Sequence, residues 1–271
     1  MGLSTGQRLL RFDRRLGARL VAGADEAGRG PLAGPLVVAG VLLDYGRLRG
    51  HRVRPLAELN DSKQVAPEER ELLCHAVLAC ASAVSMRVIP ASEIDRDGLH
   101  RSNLAGLRAV LADLSPPAQA CLVDGFRLGP AAPPHRAVVD GDTKSAAIAA
   151  ASIVAKVVRD RVMRRLDALY PRYGFSAHVG YITPGHTTAV RVHGPCEQHR
   201  RSFNAKAYAD GRATLAACPR RSDPARGCSG STGASARASS PGPTRRAGAR
   251  LPGRWSSPAC SSTTNACATT R

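Results

Sequence analysis

Short, β-branched apolar runs interleaved with long helical stretches predict an α/β or α+β domain. Three observations carry that prediction. Residues 36–43 form a continuous apolar run bounded by Gly and Pro, as a buried strand does. Residues 84–89 alternate like a half-buried strand. Residues 145–169 are rich in Ala and stop at Tyr170-Pro171, the pattern of a long, closely packed helix.

The remaining elements follow in order. Residues 20–24 read as a strand joined to 36–43 by a Gly/Pro-rich connection. Residues 66–81 read as a helix, with Pro67, Glu68 and Glu69 suited to a first turn facing the positive end of the helix dipole. Residues 92–114 read as one helix, 120–124 as a short strand stopped by Gly125, and 137–139 as another. Periodicity alone does not fix the order of strands in the sheet.

The chain has 271 residues and a formal net charge of +18, which favours polyanionic partners, nucleic acid first among them. Half of that charge lies in residues 212–271, where ten Arg stand against one Asp, with no Lys or Glu. The rest of the chain is therefore basic in its own right. Residues 1–16 are expected to be a basic N-terminal arm. Residues 207–271, rich in Ala, Ser, Arg, Pro, Gly and Thr, lack the aliphatic periodicity needed to offset ordering entropy, so disorder is expected. A basic arm adding nonspecific affinity and a shifted reading frame are the alternative readings of that tail. No signal-peptide pattern is visible, and the longest apolar run is far below the roughly 20 residues of a membrane span. A cytoplasmic location is expected. The eight Cys form no Cys-x-x-Cys pair, so a zinc ribbon has no support.

The chemistry concentrates where apolar runs end in acids. Asp25 and Glu26 end the first strand, before Ala27-Gly28-Arg29-Gly30-Pro31, and Asp124 ends the strand 120–124. Buried acids are costly unless a cation compensates them, and oxygen donors suit hard cations such as Mg²⁺. In a regular strand Asp25 and Glu26 point to opposite sides. Any one of these acids, taken alone, is equally a turn or cap residue. Ser152, Lys156 and Asp160 recur at four-residue spacing and share one helix face. Asp160 is thus a fourth acid able to join the cluster, unless it is a surface residue between Arg159 and Arg161. Three or four carboxylates in one cleft are what a two-cation phosphodiester hydrolase needs. The spacing of Gly28, Gly30 and Gly34 does not match a dinucleotide fingerprint, and no phosphate-binding Walker motif is present. His178, His186, His193 and His199, with Cys196 nearby, are read as satisfied or exposed side chains, because their spacing suits zinc poorly.

The ordered motifs carry a resemblance. Asp25-Glu26-Ala27-Gly28-Arg29-Gly30-Pro31-Leu32-Ala33-Gly34-Pro35 resembles the opening signature of bacterial ribonuclease HII. Asn60-Asp61-Ser62-Lys63, Val123-Asp124-Gly125, the helix motif ending in Arg159-Asp160, Gly180-Tyr181 and His199-Arg200-Arg201-Ser202-Phe203 resemble its later motifs, in order. The likeness spans residues 17–206. It implies a ribonuclease H-like fold, a central mixed sheet flanked by helices, with a small helical C-terminal extension. It implies that Asp25, Glu26, Asp124 and Asp160 bind Mn²⁺ or Mg²⁺. It implies that Gly28, Arg29 and Gly30 sense the ribose 2′-OH, the group that distinguishes RNA from DNA. Tyr181 would stack beside the deoxyribose after the ribonucleotide, and Ser62 and Lys63 would lie near phosphates. Arg200 and Arg201 would either do the same or support the fold. The implied activity is endonucleolytic hydrolysis of RNA in RNA–DNA hybrids and at ribonucleotides misincorporated in duplex DNA, leaving 3′-hydroxyl and 5′-phosphate ends. A monomer suffices, and a clamp-protein partner is open. Val179 and Asp140 depart from the family by replacing usual basic residues. A hybrid-binding protein without catalysis is the rival reading, and the complete acidic motifs argue against it. The related ribonuclease HIII calls for an extra N-terminal domain, for which the stretch before Asp25 leaves no room.

Overall fold

A computed structural model describes residues 2–48, 55–60, 62, 65–203, 205 and 208. Lys63 and, but for Tyr208, the tail 207–271 lie outside the described residues, and so do the expectations placed on them.

The sheet is built from β1 (Leu20–Ala27), β2 (Leu36–Asp44), β3 (Ala83–Ile89), β4 (Ala120–Asp124) and β5 (Arg136–Val138), in the order β3-β2-β1-β4-β5. β1 pairs antiparallel with β2 and parallel with β4, so the sheet is mixed. β2 is buried along its whole length, in keeping with its unbroken apolar run.

Side chains of β2 alternate between two cores. Val37, Ala39, Val41 and Leu43 join the helices α1 (Thr5–Arg14), α2 (Pro67–Cys80) and α5 (Ala146–Leu169) on one face. Leu36, Val38 and Leu42 join α3 (Ala91–Asp97) and α4 (Leu99–Asp113) on the other. The short helices α6 (Phe175–His178) and α7 (Pro184–His193) surround a third, smaller core of Tyr173, Phe175, Val190 and Cys196. None of the described helices is long and apolar enough to cross a membrane.

Two expectations change. The stretch 92–114 is two helices, because Gly98 adopts φ 84°, a left-handed conformation that ends α3 and begins α4. The N-terminal residues are not only a basic arm. Ser4 caps α1 through a capping box, and Leu9 and Leu10 are buried in the main core. Asp13 of α1 accepts hydrogen bonds from the Tyr45 hydroxyl (2.7 Å) and from the Ala147 N–H in the first turn of α5 (2.9 Å). Burial raises the Asp13 carboxyl above its ordinary range, against those bonds. Basic composition concealed this helix, because its apolar face is only a narrow stripe.

α5 lies close to β1. Its first half is Ala-rich and buried throughout, and Gly23 of β1 faces the Ala147 backbone. This contact sets the distance between the strand bearing Asp25 and the helix bearing Ser152 and Asp160.

Candidate active site

The parallel pairing of β1 with β4 ends at Ala24 and Val123, so Asp25 and Asp124 are the next residues on adjacent strands. Parallel strands present their C-terminal ends together, the usual place for a site in such sheets. Asp25 is 5% exposed, and burial pushes its carboxyl well up, followed by the like charges of Glu26 and Asp124. The side chain of Ser152 and the Glu26 N–H (2.7 Å) donate hydrogen bonds to it and oppose that shift. One oxygen of Asp124 accepts from the Gly141 N–H at 2.7 Å, which fixes the carboxylate at the C-terminal end of β4.

Glu26 follows on the opposite side of the strand, and its Oε1 lies 3.5 Å from Arg29 Nη1. The Arg29 guanidinium also covers the Phe126 ring at 4.8 Å. Asp25, Glu26 and Asp124 are thus brought together electrostatically, while Asp160 has other partners. Its carboxylate accepts from Lys156 Nζ (2.6 Å) and Arg70 Nη1 (3.2 Å). Burial draws the Lys156 ammonium below its ordinary value, against the pull of Asp160. Among the described residues, no three His, Cys, Asp or Glu side chains are already drawn together as a closed ion cage. The donor set nevertheless fits a hard divalent cation: carboxylate oxygens, those of Asp25 buried beside the negative charges of Glu26 and Asp124.

Of the helix face predicted from the spacing of Ser152, Lys156 and Asp160, Ser152 reaches Asp25, while Lys156 and Asp160 pair with each other. The Ser152 and Ser62 hydroxyls are hydrogen-bonded at 2.9 Å, so the buried Ser62 hydroxyl points inward rather than to solvent. Arg70 was not legible in the sequence. Its guanidinium donates to the carbonyls of Ser62 and Val65, both at 2.8 Å, while reaching Asp160. It ties the connection before α2 to the fourth acid.

Two further buried arginines build the glycine-rich loop 28–35. Arg159 donates to the carbonyls of Pro35 (3.0 Å) and Ala33 (3.2 Å). Arg200 donates to those of Gly28 (2.6 Å), Arg29 (3.0 Å) and Gly34 (3.0 Å). Arg200 therefore supports the fold rather than reaching phosphate, whereas Arg201 is exposed. Gly28 has φ 95°, and a β-carbon there would meet Arg159 Nε at 2.0 Å, so both conformation and space demand glycine. The sequence marked Arg159 only as a neighbour of Asp160, and its role in the loop was not foreseen.

The loop meets the second substrate motif directly. Leu32 and Ala33 donate their N–H groups to the Gly180 carbonyl at 2.9 and 3.2 Å. A β-carbon on Gly30 would lie 3.9 Å from Tyr181 Cε1, and the Tyr181 side chain is half-exposed. Residues 28–30 and Tyr181 therefore share one exposed surface. Val179, one of the departures from the family pattern, adopts φ 43°, a strained conformation for a β-branched residue.

A mixed sheet flanked by helices, with acids clustered where the pairing of β1 with β4 ends, defines a ribonuclease H-like hydrolase. The ribonuclease HII family model matches residues 22–206. The chain is 47% identical over 210 residues to ribonuclease HII of Acidothermus cellulolyticus, covering 76% of this chain and 67% of that protein. Among solved structures, ribonuclease H2 from Pyrococcus horikoshii superposes with a TM-score of 0.60 at 26% identity, covering 70% of this chain and 95% of that one. The PCNA:RNase HII complex from Archaeoglobus fulgidus gives 0.59 at 23% identity, covering 69% and 96%, a likeness of fold. The chain belongs to the ribonuclease HII family, whose members cleave RNA in RNA–DNA hybrids and depend on a divalent metal.

Proposed function

We propose that this chain cleaves both RNA in hybrids and duplex DNA at embedded ribonucleotides, with Asp25, Glu26, Asp124 and Asp160 holding Mg²⁺ or Mn²⁺. The observation that carries the reading is the register of β1 and β4, which sets Asp25 beside Asp124 with Glu26 next in the chain. A pair of bound cations would supply an activated water and neutralise the leaving 3′ oxygen. The protein's own contribution is positioning. Ser152 and the Glu26 N–H orient Asp25, and the Gly141 N–H orients Asp124. Lys156 and Arg70 hold the Asp160 carboxylate on its own helix face, from which it would join the cations.

Selectivity falls to the surface shared by residues 28–30 and Tyr181. Backbone groups of the loop, close to the sugar because the glycines lack side chains, read the 2′-OH, and Tyr181 stacks on the deoxyribose that follows. Basic residues draw the duplex in through its phosphates, so binding weakens as salt rises. A cytoplasmic location and action as a monomer accompany this reading. A sliding clamp is a further candidate partner, because the Archaeoglobus fulgidus relative was solved with PCNA.

A duplex DNA carrying one ribonucleotide tests the proposal. With Mn²⁺ or Mg²⁺ the chain should cut at that position and leave 3′-hydroxyl and 5′-phosphate ends, and chelation should stop it. Cleavage of uniform hybrids alone, with the single-ribonucleotide duplex left intact, would refute the substrate assignment.

A further inference from the structure

The exposed Tyr181 ring stands on a backbone tied at every polar group. The Gly180 N–H donates to His178 Nδ1 (3.2 Å), and the Gly180 carbonyl accepts from Leu32 and Ala33. The Tyr181 N–H donates to the His178 carbonyl at 2.9 Å, and the Tyr181 carbonyl meets His186 Nδ1 at 2.8 Å. Behind it, His186 Nε2 lies 3.0 Å from His199 Nε2, and His199 Nδ1 lies 3.1 Å from the Cys196 backbone nitrogen and 3.2 Å from the Cys196 thiol, which can donate to it as well. His186 and His199 are 0% and 1% exposed, so no solvent competes for these bonds.

The two ends of this chain fix its tautomers. A carbonyl only accepts, so His186 Nδ1 carries a hydrogen. A backbone N–H only donates, so His199 Nδ1 carries none, and its hydrogen sits on Nε2. His199 Nε2–H then donates to His186 Nε2, and every bond runs one way, from Cys196 N–H to the Tyr181 carbonyl. A proton added to either ring would set two N–H groups against each other. Burial lowers the basicity of both rings, that of His199 to about 3, and His186 sits in the first turn of α7, where a positive ring is disfavoured.

We infer that His186 and His199 form a neutral, one-way hydrogen-bond relay that positions Tyr181 for choosing the RNA–DNA junction. They are positioning residues, since neither reaches the exposed surface, and the inference rests on the junction role proposed above for Tyr181. The relay makes an atom-specific demand: only the donor at Nδ1 holds the Tyr181 carbonyl. Asparagine places its amide near the Nδ1 position, whereas glutamine places its amide near Nε2.

The test compares His186→Asn, His186→Gln and Tyr181→Ala. The readout is the ratio of cleavage rates on duplex DNA with one ribonucleotide and on a uniform RNA–DNA hybrid, at saturating Mn²⁺. Thermal melting of each variant accompanies it. His186→Gln should lower the ratio about ten-fold, with hybrid cleavage within about three-fold of wild type, while His186→Asn keeps the ratio within about three-fold. Equal ratios in the two His186 variants, or losses that track melting temperature on both substrates alike, would overturn the relay. If Tyr181→Ala lowers the ratio and His186→Gln does not, the relay alone fails. If Tyr181→Ala leaves the ratio unchanged, the junction reading of Tyr181 fails and takes the relay with it.

Discussion

Replacing Gly23 by Ala would separate the two elements that carry the acids. A β-carbon there would stand 2.1 Å from the Ala147 carbonyl carbon and 2.3 Å from the Ile148 nitrogen, both backbone atoms. No side chain can rotate away, so β1 and α5 must part by about 1.3 Å to reach ordinary contact. Overpacking of this kind costs about 3 kcal/mol. The same shift moves Ser152 and Asp160 on α5 away from Asp25 on β1, and a displacement near 1 Å costs about 100-fold in rate. Urea unfolding measures the first effect and single-turnover cleavage of a hybrid at saturating metal the second. Stability within about 0.5 kcal/mol of wild type would refute the close approach. Lost stability with an unchanged rate would refute the claim that this spacing sets the site.

Other perturbations probe the supports of the loop. His199, lowered from 6.5 to about 3, binds protons more readily unfolded than folded, so its contribution is complete above pH 6.5 and is lost on acidification through that window. Linkage gives a loss of about 2.5 kcal/mol on going from pH 7.5 to 4.5, and His199→Gln should lack that part of the slope in urea titrations at the two pH values. Parallel slopes for the two proteins would contradict it. Arg200→Met strands the carbonyls of Gly28, Arg29 and Gly34 and should cost about 3 kcal/mol in chemical denaturation; a loss below about 1 kcal/mol would show the loop holds itself.

The strands and long helices were readable because their signals are local. The unbroken apolar run of β2 and the Ala-rich start of α5 report burial and close packing directly. Asp124 was legible as a strand end, whereas β1 runs on through Asp25 and Glu26 to Ala27; the adjacency of Asp25 and Asp124 was hidden, since parallel pairing across about a hundred residues leaves no periodic trace. α1 escaped notice because five arginines between residues 8 and 19 obscured the buried pair Leu9 and Leu10. The roles of Arg159 and Arg70 were hidden, and that of Arg200 stood as one of two alternatives, for a related reason. A charged side chain reads as surface, yet these three are buried, donating to the backbone carbonyls of loops: Arg159 and Arg200 to residues 28–35, Arg70 to Ser62 and Val65. The histidines read as satisfied or exposed side chains; His186 and His199 are buried and hydrogen-bonded and His193 is exposed, but which partners they take depends on tertiary contacts that spacing does not encode.

Asp124→Asn tests the carboxylate centre most directly. Asparagine keeps an oxygen for the Gly141 N–H, so the fold and hybrid binding should survive while the negative charge is lost. Hybrid affinity should stay near wild type, with cleavage reduced about 1,000-fold at saturating Mn²⁺. Turnover within about ten-fold of wild type would contradict it.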